Sequence, residues 1–360
     1  MKYAMLLAAV AACAPVARAE MGTWKVPSWQ AFLSAPGAVK KIINEKDGKC
    51  PGHSQGMCVT SNAFYFSFHN QIVKTDWKGL LLKRVAVVPH GGDICHWNGR
   101  VYVGAWEPPK QKGEKGCTSI RVYDADTLEP VKERRMPEWQ NAADGITCLD
   151  GVIILGMGMK DWNGSDKGHS NYYGKFDAET LEPVKERRMP EWQNAADGIT
   201  CLDGTIILGM GMKDWDGSDD GHSNYYGKFD AETLEPIGEP FLVDHGEQST
   251  CGAQNITTDG KYIYSCYYTS DEAAQTPNFI VYDKDFNVVG KHLFGWTHGV
   301  DVVPCGDDGA VRFAWATTLN NNWDLKSSLV SQVLVRFGEL KDGKIDDISR
   351  YIWFKKLRKR

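Results

Sequence analysis

LEPVKERRMPEWQNAADGITCLDGVIILGMGMKDWNGSDKGHSNYYGKFDAET, residues 128–180, returns almost verbatim as residues 181–233. Three positions differ: Val152 becomes Thr205, Asn163 becomes Asp216 and Lys167 becomes Asp220. The period of 53 residues is filled with short β-rich runs broken by turn residues. That is the size of one β-propeller blade. Near-identity marks the duplication as recent or as an error of sequence assembly, and both readings stay open.

Tight-turn dipeptides recur between β-rich runs along the chain: Asn98-Gly99, Asp150-Gly151, Asp203-Gly204, Asp259-Gly260 and Asp308-Gly309. These pairs accept the positive φ of a type I′ hairpin turn. Before each turn lies a short strand, opened by a triplet that reads polar, then small or polar, then apolar. The six triplets are Gln55-Gly56-Met57, Gly92-Asp93-Ile94, Asp144-Gly145-Ile146, Asp197-Gly198-Ile199, Gln254-Asn255-Ile256 and His298-Gly299-Val300. A variable loop and two more strands complete each unit. The first unit lacks a clean turn pair at Ser61-Asn62-Ala63, so its bounds are softer. Apolar residues at helical spacing are absent.

The fold class expected is all-β: a propeller over residues 51–360 with six four-stranded blades, five or seven being the alternatives. Blades three and four are the tandem copies. Residues 20–50 precede the first unit, and AVKKIIN at 38–44 is expected to add a strand to the last blade. Such a strand closes the ring and hides open edges.

Composition narrows the setting. Lys2, the apolar run at 4–12 and Ala17-Arg18-Ala19 have the layout of a secretory signal peptide cut after Ala19. The run is too short to span a bilayer. Val10-Ala11-Ala12-Cys13 is the alternative, a lipoprotein box. The expected location is secreted or periplasmic, with no transmembrane segment. A net charge of −5 speaks against a nucleic-acid partner. An oxidising compartment permits disulfides. Nearness in sequence suggests Cys50 with Cys58, Cys95 with Cys117, and Cys251 with Cys266. Cys148 and Cys201 are copies of one residue and are expected as small buried thiols.

Connectivity alone assigns a functional face. The first strand of a blade is innermost, and its leading loop lies on the same face as the loop between strands two and three. The triplets therefore open onto the channel rim. The long loops at 106–118, 157–170, 210–223, 268–276 and 317–330 crowd that rim, and loops of this length in a tight repeat usually hold function. The candidate ligand-binding residues are His53, Gln55, His90, Asp93, Asp144, Asp197, Gln254 and His298, joined by the loop aromatics Trp106, Trp162 and Trp215. A ring of Asp, Asn and His can hold a divalent cation such as calcium through hard oxygen ligands. Asp144, Asp197, Asn255 and Asp301 are the candidate metal ligands, with Asp301 read as a solvated rim residue. Oxygen side chains at alternate positions in DWNGSD (161–166) and DWDGSD (214–219) have a calcium-loop rhythm, without its sixth-position glycine and terminal glutamate. An ordinary Asx-turn loop is the plainer reading. Aromatic faces over a polar rim suit sugar rings. Strand aromatics such as Tyr65, Tyr102 and Phe229 are read as inter-blade packing.

The segment QNITTDGKYIY (254–264) and the Asp-Gly-Ile segments at 144–146 and 197–199 resemble the blade motif of the six-bladed gluconolactonase (SMP-30-like) propellers. The resemblance covers about a third of the chain. It implies a catalytic divalent metal held from inner-strand starts, which by position are Gln55, Asn255 and Asp144 or Asp197. Gln55 departs from the family's glutamate and carries no charge. No serine-hydrolase elbow, phosphate loop, zinc-protease helix or haem-attachment motif occurs.

The expected function is therefore a secreted, monomeric propeller that binds a small polar molecule, a saccharide or sugar acid, on its loop-rich channel face. A metal-dependent hydrolase, lactonase or polysaccharide lyase is one alternative. A protein-interaction scaffold is the other.

Overall fold

The computed structural model describes residues 40–44, 54–77, 80–87, 90–139, 143, 145–156, 171–189, 198–211, 225–243, 253–267, 279–292, 297–303, 311–318, 331–341 and 344–347. Every regular element among them is a β-strand. The strands form six antiparallel sheets. Five of the sheets have four strands in sequence order, as consecutive hairpins require. The blades run over residues 54–86, 91–136, 146–189, 198–242, 253–292 and 297–347. The expected signal peptide, with Cys50, Cys251 and most of the long rim loops, lies outside the described residues.

The last blade is built differently. Its chain-order strands Thr297–Val302, Val311–Thr318 and Ser331–Lys341 are joined by Lys40–Asn44, which pairs antiparallel along residues 331–335. Lys344–Asp347 pairs with the other end of the same strand, at 338–341. A strand from before the first blade thus occupies the outer edge of the last one. It leaves less of that edge open to pairing with another chain.

Turn chemistry behaves as the sequence suggests at three hairpins. Both residues of Asn98-Gly99, Asp150-Gly151 and Asp203-Gly204 have positive φ. At Asp259-Gly260 only the glycine does, and a longer turn is held by Asp259 Oδ1 accepting the backbone N–H groups of Lys261 and Tyr262. Asp308-Gly309 lies outside the described residues.

Apolar burial is organised by blade boundary. Six clusters fill the six boundaries, one each. Phe64, Phe66 and Phe68 of blade one pack with Ala314, Val335 and Phe337 of blade six. Fully burying a side chain of this kind contributes about 1.5–3 kcal/mol, so the ring is held mainly by these seams. Tyrosines hook neighbouring blades as well. Tyr65 donates to the Ala125 carbonyl at 2.7 Å, and Tyr173 to that of Leu234 at 2.6 Å. Phe229 packs tilted against Tyr173, with ring centroids 5.0 Å apart. The reading of Tyr65, Tyr102 and Phe229 as packing residues holds: all three are buried.

A second repeated device sits in the turn between strands three and four. Asp124, Asp177 and Asp230 accept from the backbone N–H and hydroxyl of Thr127, Thr180 and Thr233. The next residues, Leu128, Leu181 and Leu234, adopt positive φ while fully buried. Left-handed backbone is unfavourable for leucine. Burial of the side chain and the Asp–Thr bonds hold it in place.

The duplication is out of phase with the blades. Each copy begins with the outer strand of one blade and supplies the first three strands of the next. Blade four's own outer strand is therefore unduplicated. It shrinks to Phe241–Leu242, where blade three has Pro183–Met189. Pro236 and Pro240 have no N–H to donate to a ladder.

Candidate functional site

Six inner strands surround the axis: Ser54–Val59, Gly91–Trp97, Ile146–Leu149, Gly198–Leu202, Ala253–Thr258 and Thr297–Val302. Together they enclose a cavity of about 300 Å³. The apolar third residue of each triplet forms one layer of its wall: Met57, Ile94, Ile146, Ile199, Ile256 and Val300. The residues that follow supply the polar lining. These are Cys58, Cys95, His96, Thr147, Cys148, Thr200, Cys201, Thr257, Thr258 and Asp301, with Asp93 contributing from the triplet layer.

Inner strands of adjacent blades approach closely near the rim. A Cβ on Gly56 would lie 1.9 Å from Asp93 Oδ1, so only glycine fits there. Asp93 is buried, and its Oδ1 accepts from the Ile94 backbone N–H at 2.8 Å. Asn255 is 2% exposed and donates through Nδ2 to the Gln55 carbonyl at 3.2 Å. That bond spans from blade five to blade one. Asn255 Oδ1 has no hydrogen-bond partner among the described residues.

Asp301 is the most heavily engaged of the expected ligands. Its Oδ2 accepts from the Val59 N–H of blade one at 2.7 Å. Its Oδ1 accepts from the Val302 N–H at 2.8 Å and the Thr257 hydroxyl of blade five at 3.3 Å. The expectation of a solvated rim residue is corrected: the carboxylate is built into the channel wall. Burial pushes it up to about 6, and the three hydrogen bonds only partly offset that rise.

The other expected residues are dispersed. His90 adopts φ 75 and packs edge-on against His69, with ring centroids 4.6 Å apart. His69 sits in the loop between strands two and three of blade one, so the two rings meet on the loop-bearing face. Gln254 is half-buried on the inner strand of blade five. Trp106 is half-buried and lies against its own loop, since a Cβ on Gly116 would stand 2.3 Å from its Cζ2. His298 is placed on the inner strand of blade six by its backbone. His53, Asp144, Asp197, Trp162 and Trp215 lie outside the described residues. No group of three or more His, Cys, Asp or Glu side chains poised for a metal ion occurs among the described residues.

Several lining residues were not among the site residues expected from the sequence. His96 is half-buried, and burial lowers its pKa, with Asp126 opposing weakly. The imidazole is therefore neutral near pH 7. Cys148 and Cys201 are half-buried and face the channel rather than being wholly enclosed. The proposed Cys95–Cys117 pairing is also corrected. Cys95 Sγ lies 2.8 Å from Cys148 Sγ, and Cys117 is a separate buried free thiol. The available signal was positional, because these residues follow the triplets at the same one or two steps in every unit.

The chain is similar in fold to solved structures with which it shares little sequence identity. A hypothetical selenium-binding protein from Sulfolobus tokodaii matches with a TM-score of 0.51 and 12% identity, over 79% of this chain and 74% of that one. A protein of unknown function from Bacteroides caccae matches with a TM-score of 0.50 and 11% identity, over 72% and 97%. The Pan2 WD40 domain of Neurospora crassa has a TM-score of 0.45 and 12% identity, over 78% and 74%. At such identities the first two likenesses bear on the fold alone. No protein-family model and no curated protein sequence matches the chain.

Proposed function

We propose that this six-bladed propeller binds a small polar molecule in its central channel, with saccharides and sugar acids as the ligand class. One observation carries the reading: a cavity of about 300 Å³ lined by all six inner strands, five of which contribute a hydroxyl, imidazole or carboxyl group and the first the Cys58 thiol. Its volume sits at the lower end of the range of small-molecule sites, about 300–1,000 Å³. Thr147 and Thr200 offer hydroxyls that both donate and accept, as sugar hydroxyls require, and Thr257, whose proton goes to Asp301, offers an acceptor. Neutral His96 adds a donor and an acceptor in one ring. The apolar layer of Met57, Ile94, Ile146, Ile199, Ile256 and Val300 lies next to these groups and suits the C–H faces of a sugar ring.

The test is calorimetric titration of neutral monosaccharides and uronic acids into wild type and a Thr200→Val, Thr257→Val variant. Losing hydrogen bonds of about 1–1.5 kcal/mol each is expected to weaken binding by roughly tenfold or more. Unchanged affinity in the variant would move the ligand to the loop face. Absence of binding across the panel would reject the ligand class.

A metal-dependent hydrolase or lactonase is the second reading, favoured by the buried, unpartnered Asn255 Oδ1 near the channel mouth. An orphan amide oxygen is a hard donor suited to calcium. Elemental analysis of protein purified without chelator separates the readings: stoichiometric divalent metal lost in Asn255→Leu supports this one, and metal-free protein rejects it.

A further inference from the structure

The channel wall carries a pair of sulfur atoms that the proposed ligand site does not require. Cys95 stands on the inner strand of blade two and Cys148 on that of blade three, with Sγ atoms 2.8 Å apart. Both are half-buried and both line the cavity, which connects them to solvent-borne small molecules. A disulfide needs sulfur atoms about 2.05 Å apart. Closing the gap therefore asks for side-chain adjustment of under an ångström. We propose that Cys95 and Cys148 are a reversible dithiol–disulfide couple that links blades two and three covalently across the channel wall.

The repeat supplies an internal control. Cys201 is the copy of Cys148 one blade further on. At the offset of Cys95, blade three carries Thr147. Cys201 accordingly has no sulfur within hydrogen-bonding distance among the described residues. Burial, with Asp150 adding, pushes its thiol up to about 11. Burial and the adjacent sulfur likewise push the Cys95 thiol well above its ordinary range. Such a thiol resists casual alkylation and oxidation, because the thiolate is the nucleophile. Proximity of the second sulfur then favours intramolecular closure over accumulation of a mixed disulfide.

The chemistry balances with a small organic disulfide as oxidant. One cysteine loses its proton and its thiolate attacks the organic disulfide, forming a mixed disulfide and releasing one organic thiolate. The second cysteine, deprotonated in turn, attacks the protein-bound sulfur and expels the second organic thiolate. The two expelled thiolates take up the two protons. Two protein thiols are oxidised to one disulfide while one organic disulfide is reduced to two thiols.

The experiment uses the full chain, first reduced and freed of reductant, then exposed to 2-hydroxyethyl disulfide, alkylated and mapped by peptide mass spectrometry. The expected result is a linked peptide pair joining Cys95 to Cys148, reversed by dithiothreitol. It persists in Cys201→Ser and falls to background in Cys148→Ser, with no transfer to Cys201. Recovery of Cys95 and Cys148 as separately alkylated or mixed-disulfide peptides in folded wild-type protein would overturn the proposal, as would a dominant link from Cys95 to any other cysteine. The wild-type map decides the question even if a variant misfolds.

Discussion

The backbone N–H of Val59 donates to Asp301 Oδ2 at 2.7 Å, joining the inner strand of the first blade to that of the last. The two residues are 242 positions apart in the chain. The same carboxylate accepts from Thr257 of blade five, so one side chain ties three consecutive blades at the axis. Sheet pairing by Lys40–Asn44 closes the ring at its outer edge, and Asp301 closes it at the inner one.

Replacing Asp301 with alanine therefore leaves the Val59 N–H without its acceptor at an inner seam. An unmade hydrogen bond at a buried group costs about 1–3 kcal/mol. Denaturant unfolding of Asp301→Ala should show a loss of that size. A variant as stable as wild type would return Asp301 to the role of a solvated rim residue.

The pH dependence follows from the direction of the shift. Asp301 is raised to about 6 in the folded protein, against about 3.9 when unfolded. The folded state therefore binds the proton more tightly. The stabilising contribution is full below about pH 3.9 and is lost as pH rises through 6. The stability of wild type relative to Asp301→Asn, which does not titrate, should fall by roughly 2 kcal/mol between pH 4 and pH 8. Glu107 has the opposite sign. Burial raises its pKa, but hydrogen bonds from Arg121 and Ser119 outweigh this and lower it. Its contribution is present above the unfolded carboxylate range and lost as pH falls through its folded value. A wild-type minus Glu107→Gln profile that rises towards acid would contradict this assignment.

Excising residues 181–233 joins Thr180 to Leu234 and regenerates the same Asp-Ala-Glu-Thr-Leu-Glu-Pro turn. The face that blade four turns toward blade five includes Leu202, Ile207 and Tyr226. Blade three carries the identical residues Leu149, Ile154 and Tyr173, so the new seam has its apolar partners ready. The shortened chain is expected to fold as a soluble five-bladed ring with cooperative thermal unfolding. Insoluble or non-cooperative material would show that ring closure depends on the sixth blade.

Much of the fold was legible because its determinants are local. Asn98-Gly99, Asp150-Gly151 and Asp203-Gly204 demand their hairpins through backbone conformation alone, and the 53-residue period fixes the unit. The buried left-handed Leu128, Leu181 and Leu234 are not legible in this way, although the run Asp-Ala-Asp/Glu-Thr-Leu-Glu-Pro recurs three times. A leucine there reads as an ordinary loop residue until its burial is known. The site was less legible for a different reason. Rim residues look functional because they are polar near strand starts, yet Asp301 spends its carboxylate on blades one, five and six, and Asn255 spends its Nδ2 on blade one. His96 and Thr200 look like common strand residues. Only ring closure turns them toward one cavity.

Whether the channel is the ligand site is tested by a crystal structure with the tightest-binding sugar or sugar acid from the titration panel. The predicted result is ligand density inside the channel, with hydroxyl contacts to Thr200 and Thr257 and the ring near His96. Density confined to the outer loops, over an empty channel, would contradict it.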